Sequence, residues 1–475
     1  MSAKIKVLLV WPKGYDVAQV MPLSLGYLSS NLDKSRCDIR IVDCSLDGMD
    51  SQSPKLRQVL TESDPDVVGV SCWSLVYPEA MAVIRLAKSV KPSVVTIVGG
   101  SYPTLSPRKV LENPEVDFVY RGEAELTFQS FLDRLQEPAP DWSAIPGLAF
   151  RNAGGEIHAA EPNLVSDLDA VRIPDYDGMR LDDYIEAGYR YSSKVKRNAP
   201  IWTTRGCPYQ CAFCVAPKIS GCRVRKHSVG YLVRWVQHLY RDRGIRWVSI
   251  IDDNFTFDTR YATEFCEQVI GLKLKDLGFG TPNGVRMDRG TPELWRLMKR
   301  AGWSFVSVAP ESGSPRVLKL MKKHIDLERI PGAVKDIKSA GLRVNAFFLV
   351  GFPGETEADL MQTRDLIRRC GFDCVYFNIF QPFPGSGAYE DLVAGGKLAG
   401  EVKPTNYSDG VPSYRSEELR EFNFARFIMG TYFLAILHNP RMLYHLLKHH
   451  NLGFVVRKIV VNLKNIFRAR GRQAA

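Results

Sequence analysis

Twice along this chain, short apolar runs alternate with helix-length amphipathic stretches. In the first series, residues 6–10, 38–42, 66–71, 94–98 and 116–120 read as strands, with helices predicted at 23–32 and 78–90. Continuous apolar strands separated by helices predict a doubly wound, Rossmann-like parallel sheet. Ligands of such sheets sit beyond the carboxyl ends of the strands. Three stretches there have turn chemistry suited to a ligand: residues 21–26; residues 99–104, opening Gly99-Gly100-Ser101; and residues 121–125, with Glu123 and Glu125. Paired glycines let a backbone approach a bulky ligand, although Gly99-Gly100 alone reads equally well as a turn. The second series places strands at 200–203, 247–251, 280–285, 305–308, 344–350 and 374–379, and helices at 231–243 and 292–301. Between the series, residues 136–200 are punctuated by Pro138, Pro140, Pro146, Pro162 and Pro174. A small hairpin is predicted over 147–159, with His158 on its surface.

Composition changes this picture little: 475 residues, 45% hydrophobic and 24% charged, describe a globular chain of two or three domains. The first residues run straight into a strand, so no signal peptide is read, and ten cysteines without export predict a reducing, cytoplasmic setting. Charge is uneven. Eight of the eleven surplus positive charges lie beyond residue 437, where there is no Asp or Glu. Within that tail Leu452, Val456, Ile459, Val460, Leu463 and Phe467 share one helical face, and Arg457, Lys458, Lys464 and Arg468 lie largely on the other. This is the pattern of an interfacial helix and predicts peripheral contact with the inner face of a membrane. A helix packed on the preceding domain with a solvated basic face gives the same pattern. The uncharged stretch 427–437 is too short to span a bilayer. Nucleic acid is a weaker reading of the charge, because no RNA-binding module follows the second series.

The chemistry concentrates at residues 201–214, which hold Cys207, Cys211 and Cys214 as C-x-x-x-C-x-x-C. Three thiolates in one loop can wrap one inorganic cluster, and thiolates select iron–sulfur or zinc. A [4Fe–4S] cluster usually takes four thiolates; with three, one iron keeps an open position. A zinc knot would need a fourth ligand, which Cys222 or His227 could supply. Cys37, Cys44 and Cys72 read as small buried apolar thiols.

The 201–214 segment closely resembles the cluster-binding loop of radical S-adenosylmethionine (SAM) enzymes, and the six later strand–helix repeats resemble that family's partial (β/α)6 barrel. The resemblance implies that Cys207, Cys211 and Cys214 hold a [4Fe–4S] cluster whose open iron binds SAM. Reductive cleavage then gives a 5′-deoxyadenosyl radical. Position by position, it implies that Asp252 and Asp253 meet the SAM amino group, although paired acids can also cap the next helix. It implies that Arg286 pairs with the SAM carboxylate and that Glu311, with Ser312, accepts the ribose hydroxyls. Gly351 would admit the adenosyl group, Gln381 would lie near the adenine, and Phe213 would neighbour it.

The N-terminal series resembles the cobalamin-binding domain found before many such barrels, with Gly99, Gly100, Ser101 and Glu123 at the cofactor. It departs from the methionine synthase type: there is no Asp-x-His-x-x-Gly, and no His lies between residues 1 and 135. Methylthiotransferases carry a cluster cysteine just after the first strand; residues 11–14 have none. The expected layout is a cobalamin-binding-like domain at 1–135, a linker at 136–195, the barrel at 196–395 and a basic helical extension at 396–475. The expected activity is cobalamin-dependent methylation of an unactivated carbon in a small or lipid-like molecule, with flavodoxin or ferredoxin as electron donor. Oxidative ring closure of a large hydrophobic substrate, as in anaerobic magnesium-protoporphyrin ester cyclases, is the alternative, with RNA or protein methylation behind it. A redox sensor using the cluster alone leaves the strand-end residues unexplained.

Overall fold

The computed structural model describes residues 4–14, 21–188, 195–398, 412–449 and 460. The chain forms two compact units, Met1–Tyr189 with Val215–Lys226, and Arg190–Cys214 with His227–Ala475.

In the first unit the five expected strands form: β1 (Ile5–Trp11), β2 (Cys37–Asp43), β3 (Val67–Ser71), β4 (Val95–Gly99) and β5 (Phe118–Tyr120). They pair in parallel in the order β2-β1-β3-β4-β5. Parallel neighbours need crossovers, which helices Leu23–Asn31, Pro54–Ser63 and Tyr77–Val90 supply. Leu8, Val10, Val68, Val70, Val98 and Val119 share one core with Val83, Ile84 and Ala87 of the last of these helices. The strand order reverses between β1 and β3, which makes their carboxyl ends the crevice of the sheet. The predicted hairpin, β6 (Leu148–Arg151) and β7 (Ile157–Ala159), extends this sheet antiparallel from β5. His158 lies exposed on it against Phe150, ring centroids 5.1 Å apart. Residues 21–26 are not an open loop: Leu23–Asn31 is helical, and a Cβ on Gly26 would sit 2.4 Å from the Met179 sulfur.

The second unit is a six-stranded, all-parallel sheet of Asn198–Ile201, Trp247–Ile250, Gly278–Val285, Trp303–Glu311, Arg343–Val350 and Cys374–Ile379, each beside its predecessor. That is the order of a partial barrel. Helices following its strands open on capping side chains: Asp258 accepts from the Arg260 and Tyr261 N–H, Thr291 from Leu294, Ser314 from Val317, Thr356 from Asp359 and Ser386 from Tyr389. Each such cap contributes about 1 kcal/mol. After the barrel, helix Phe424–His438 packs on helix Glu357–Cys370, and Arg441–His449 runs against the sixth strand. Among the described residues no helix is long and apolar enough to cross a membrane. The amphipathic stretch 452–467 lies outside the described residues, apart from exposed Val460.

Candidate active site

The first barrel strand ends at Ile201, Thr203 and Thr204 follow it, and Gly206 at φ +97° turns the chain into the cysteine loop. Two backbone bonds fix that loop. The Ala212 N–H donates to the Met321 carbonyl at 2.8 Å, and the Ala212 carbonyl accepts from Ala388 N–H at 2.7 Å. Cys207, Cys211 and Cys214 are half-buried. Burial raises the Cys207 and Cys211 thiols above the usual cysteine value, and the Lys323 ammonium pulls Cys211 back. A bound metal deprotonates such thiols outright. Among the described residues no three His, Cys, Asp or Glu side chains already stand as an ion's ligand set. The fit of the loop to a cluster therefore rests on its donor chemistry and spacing. Neither proposed fourth zinc ligand strengthens the zinc reading. Cys222 is exposed. The buried His227 ring stacks on Tyr231 at 4.4 Å, which accounts for it as packing.

The strand-end residues divide into those facing solvent and those already engaged by protein. Asp252 is 1% exposed and accepts from the Thr203 N–H at 2.6 Å and from the Thr203 and Thr204 hydroxyls. Burial pushes its pKa up to about 6 despite those donors. It ties the start of the cysteine loop to the second strand. Asp253 is accessible to solvent, although the protein around it raises its pKa by desolvation, and it is within electrostatic reach of Cys207, so it is the acid of the pair open to a ligand ammonium. Neither caps the next helix, because Asp258 does.

Arg286 stands over the Tyr209 ring, its Cζ 4.1 Å from the centroid. Its guanidinium is held by both Asp288 oxygens, at 2.9 and 2.7 Å, and by the His324 carbonyl at 2.6 Å. Few of its donors are left for a ligand carboxylate. Glu311 occupies a left-handed backbone position, φ +68°, and its carboxylate meets Lys323 Nζ at 3.1 Å. Ser312 is fully buried, accepting from the Ser314 N–H and sharing a hydrogen bond with Thr363. Phe213 packs on the cluster of Val317, Met321, Leu349 and Phe380 and lies 5.9 Å beneath Lys323 Nζ.

Gly351, φ +81°, donates to Glu355 Oε2, and a Cβ there would come within 3.1 Å of the Phe424 ring. Glu355 is fully buried, and burial raises its pKa to about 8. Gln381 is buried at the end of the sixth strand. Sequence reasoning passed over Lys323, Tyr209, Asp288 and Glu355. A Lys322-Lys323 pair after a helix reads as solvated charge, and only the packing shows that one of them is buried.

At the carboxyl edge of the first unit's sheet, Trp11 ends β1 and Trp73 lies two residues beyond β3, the two strands that flank the switch point, ring centroids 4.7 Å apart. The two glycines differ. A Cβ on Gly100, φ +119°, would sit 2.4 Å from the Cys72 carbonyl oxygen, so the protein's own backbone demands glycine. A Cβ on Gly99 would meet only Tyr120 Cβ, at 3.9 Å. Among the described residues little else stands over Gly99, which suits a flat, bulky cofactor. Ser101 opens the short helix Ser101–Leu105. Glu123 is engaged elsewhere: it accepts from both Arg225 terminal nitrogens, at 2.6 and 2.7 Å, and from the Val165 N–H. That bidentate pair is a protein contact, not a ligand contact.

Residues 201–367 match the family model of the radical SAM superfamily, and residues 17–132 that of the B12 binding domain. An uncharacterized methyltransferase of Pyrococcus horikoshii is 26% identical over 447 residues, 94% of each chain. The cytidylyl-2-hydroxyethylphosphonate methyltransferase of Streptomyces wedmorensis is 29% identical over 79% of this chain and 78% of its own. Among solved structures, the radical SAM methyltransferase TsrM of Kitasatospora setae, with cobalamin and a [4Fe–4S] cluster bound, superposes with a TM-score of 0.75 at 16% identity over 100% of both chains.

Proposed function

This chain belongs to the radical SAM superfamily and carries a B12 binding domain ahead of the barrel, and from that premise we propose that it methylates an unactivated carbon of a small molecule. The bound cluster, SAM and cobalamin would supply, respectively, the electron, the radical source and the methyl carrier. The observation that carries the reading is the loop of Cys207, Cys211 and Cys214 at the carboxyl mouth of six parallel strands, where barrel active sites lie. The chain's own residues would do the rest. Asp252 and the Met321 carbonyl hold the loop in place. Asp253 offers a carboxylate to the SAM ammonium. Glu311 offers one to the ribose hydroxyls, and Phe213 offers a ring to the adenine. In the first unit, Gly99 and the Trp11–Trp73 pair would line the cobalamin, and residues 1–135 contain no histidine to offer it. A flavodoxin or ferredoxin would deliver the electron.

The test is anaerobic reconstitution of the full chain with iron, sulfide and cobalamin, followed by metal analysis and incubation with SAM and dithionite. About four irons per chain, bound cobalt and release of 5′-deoxyadenosine are expected. Replacing Cys207, Cys211 and Cys214 together by Ala should abolish iron binding and cleavage alike. A zinc-loaded, iron-free chain that still turns over SAM would overturn the reading.

A second observation favours a lipid-like substrate met at a membrane surface. Phe433 and Leu437 are 64% and 59% exposed, and Leu443 and Tyr444 of the next helix are exposed too. These residues lead into the basic tail, where each cation near an anionic surface adds about 1 kcal/mol. Full-length protein should co-sediment with anionic liposomes at low salt, and deletion of residues 452–475 should weaken this sharply. Indifference to liposomes in the full chain removes the lipid reading.

A further inference from the structure

We propose that Lys323 and Glu311 form a charge pair that sets the reduction potential of the cluster on Cys207, Cys211 and Cys214, an inference that rests on the cluster assignment above. The pair is closed off from water: the Lys323 and Glu311 side chains are 10% and 11% exposed, and Nζ meets Oε1 at 3.1 Å. It is also bound mechanically to the cysteine loop. Lys323 lies two residues beyond Met321, whose carbonyl holds the Ala212 N–H between Cys211 and Cys214. Its Nζ stands 5.9 Å over the ring of Phe213, the neighbour of Cys214. The segment carrying it is pinned a second time, because Arg286 donates to the His324 carbonyl at 2.6 Å.

Burial by itself disfavours the charge of this lysine, and the Glu311 carboxylate at 3.1 Å compensates it. Arg286 is the other cation near Cys211, but Asp288 already matches its charge through two hydrogen bonds. A buried ion pair contributes little net stability compared with apolar residues of the same size. Glu311 also holds an uncommon left-handed backbone. Folding therefore gives weak reason for this pair, whereas a charge beside a redox centre has a direct effect. One-electron reduction adds a negative charge to the cluster. A fixed cation nearby favours the reduced form and a fixed anion the oxidised form. In a water-poor setting neither is well screened.

The experiment is an EPR-monitored potentiometric titration of the anaerobically reconstituted full-length chain with dithionite, without SAM, after iron and sulfide are measured. Lys323→Met should move the midpoint to more negative potential. At a fixed potential near the wild-type midpoint, the reduced-to-oxidised ratio should fall about tenfold, which is about 59 mV for one electron. Glu311→Gln should move it the opposite way, and Lys323→Arg should stay near wild type. Opposed shifts at wild-type iron content are what a merely structural pair would not give. If Lys323→Met fails to load iron, Glu311→Gln decides: no positive shift overturns the inference. Two unmoved midpoints, or two shifts of the same sign, overturn it while leaving the cluster assignment standing. A wild-type chain that takes up no iron overturns both.

Discussion

Gly99 and Gly100 adjoin in sequence, and the structure gives them opposite reasons to be glycine, so substituting each in turn separates a backbone demand from a ligand demand. Gly100→Ala puts a methyl group 2.4 Å from the Cys72 carbonyl oxygen, at φ +119°. An L-residue forced into such a region loses about 1–3 kcal/mol from backbone strain alone. The Cys72 oxygen cannot retreat freely, because the Tyr102 N–H donates to it and the Cys72 N–H is held by Gly99. A total loss of about 2–4 kcal/mol is expected. In a unit of this size that lowers Tm by roughly 4–15 °C. Gly99→Ala meets only Tyr120 Cβ at 3.9 Å, ordinary van der Waals contact. Its stability should stay within about 1 kcal/mol of wild type, since alanine also restricts the unfolded chain. Gly99→Leu should then fold but fill the space left for cobalamin. Thermal unfolding of the cobalamin-free chain gives the first comparison, and cobalt retained after anaerobic desalting gives the second. Gly100→Ala should be the unstable variant, and Gly99→Leu the stable one that loses cobalamin at least tenfold. A Gly99→Leu chain that keeps wild-type cobalamin would place the cofactor elsewhere. Equal destabilisation by the two Ala variants would refute the steric reasoning.

Two further outcomes follow from buried carboxyl groups. Glu355 has its pKa raised to about 8, chiefly by burial, so the folded state holds a proton that the unfolded state releases near pH 4.5. Its contribution to stability is therefore full below about pH 4.5 and is lost as pH rises through about 8, by roughly 2–5 kcal/mol. Glu355→Gln should remove that part of the slope between pH 5 and 9 in denaturant titrations, and wild-type and variant curves that run parallel would exclude it. Glu311→Gln should weaken SAM binding to the reconstituted chain about tenfold or more, because a charge-assisted acceptor becomes a neutral one; equilibrium dialysis showing unchanged affinity would reject the ribose role.

The strand–helix alternation was legible because buried parallel strands are apolar on both faces and their helices are amphipathic, and both patterns are local. The five parallel strands of the first sheet and all six of the barrel overlap the apolar runs that predicted them. The cysteine loop was legible for the same reason: its three donors lie within eight residues. Tertiary structure alone decided which polar residues are left for a ligand. Asp252 and Asp253 are neighbours of the same type, yet one is consumed by Thr203 and Thr204, some fifty residues away, and the other is exposed. Arg286 is consumed by Asp288, Glu123 by Arg225, about a hundred residues further on, and Lys323 is buried against Glu311. Gly99 and Gly100 look identical in sequence and differ only in what stands opposite their missing Cβ. Periodicity reports whether a position faces the core. It does not report the through-space partner that satisfies a charge or blocks a methyl group, because that partner arrives only when distant segments close on each other.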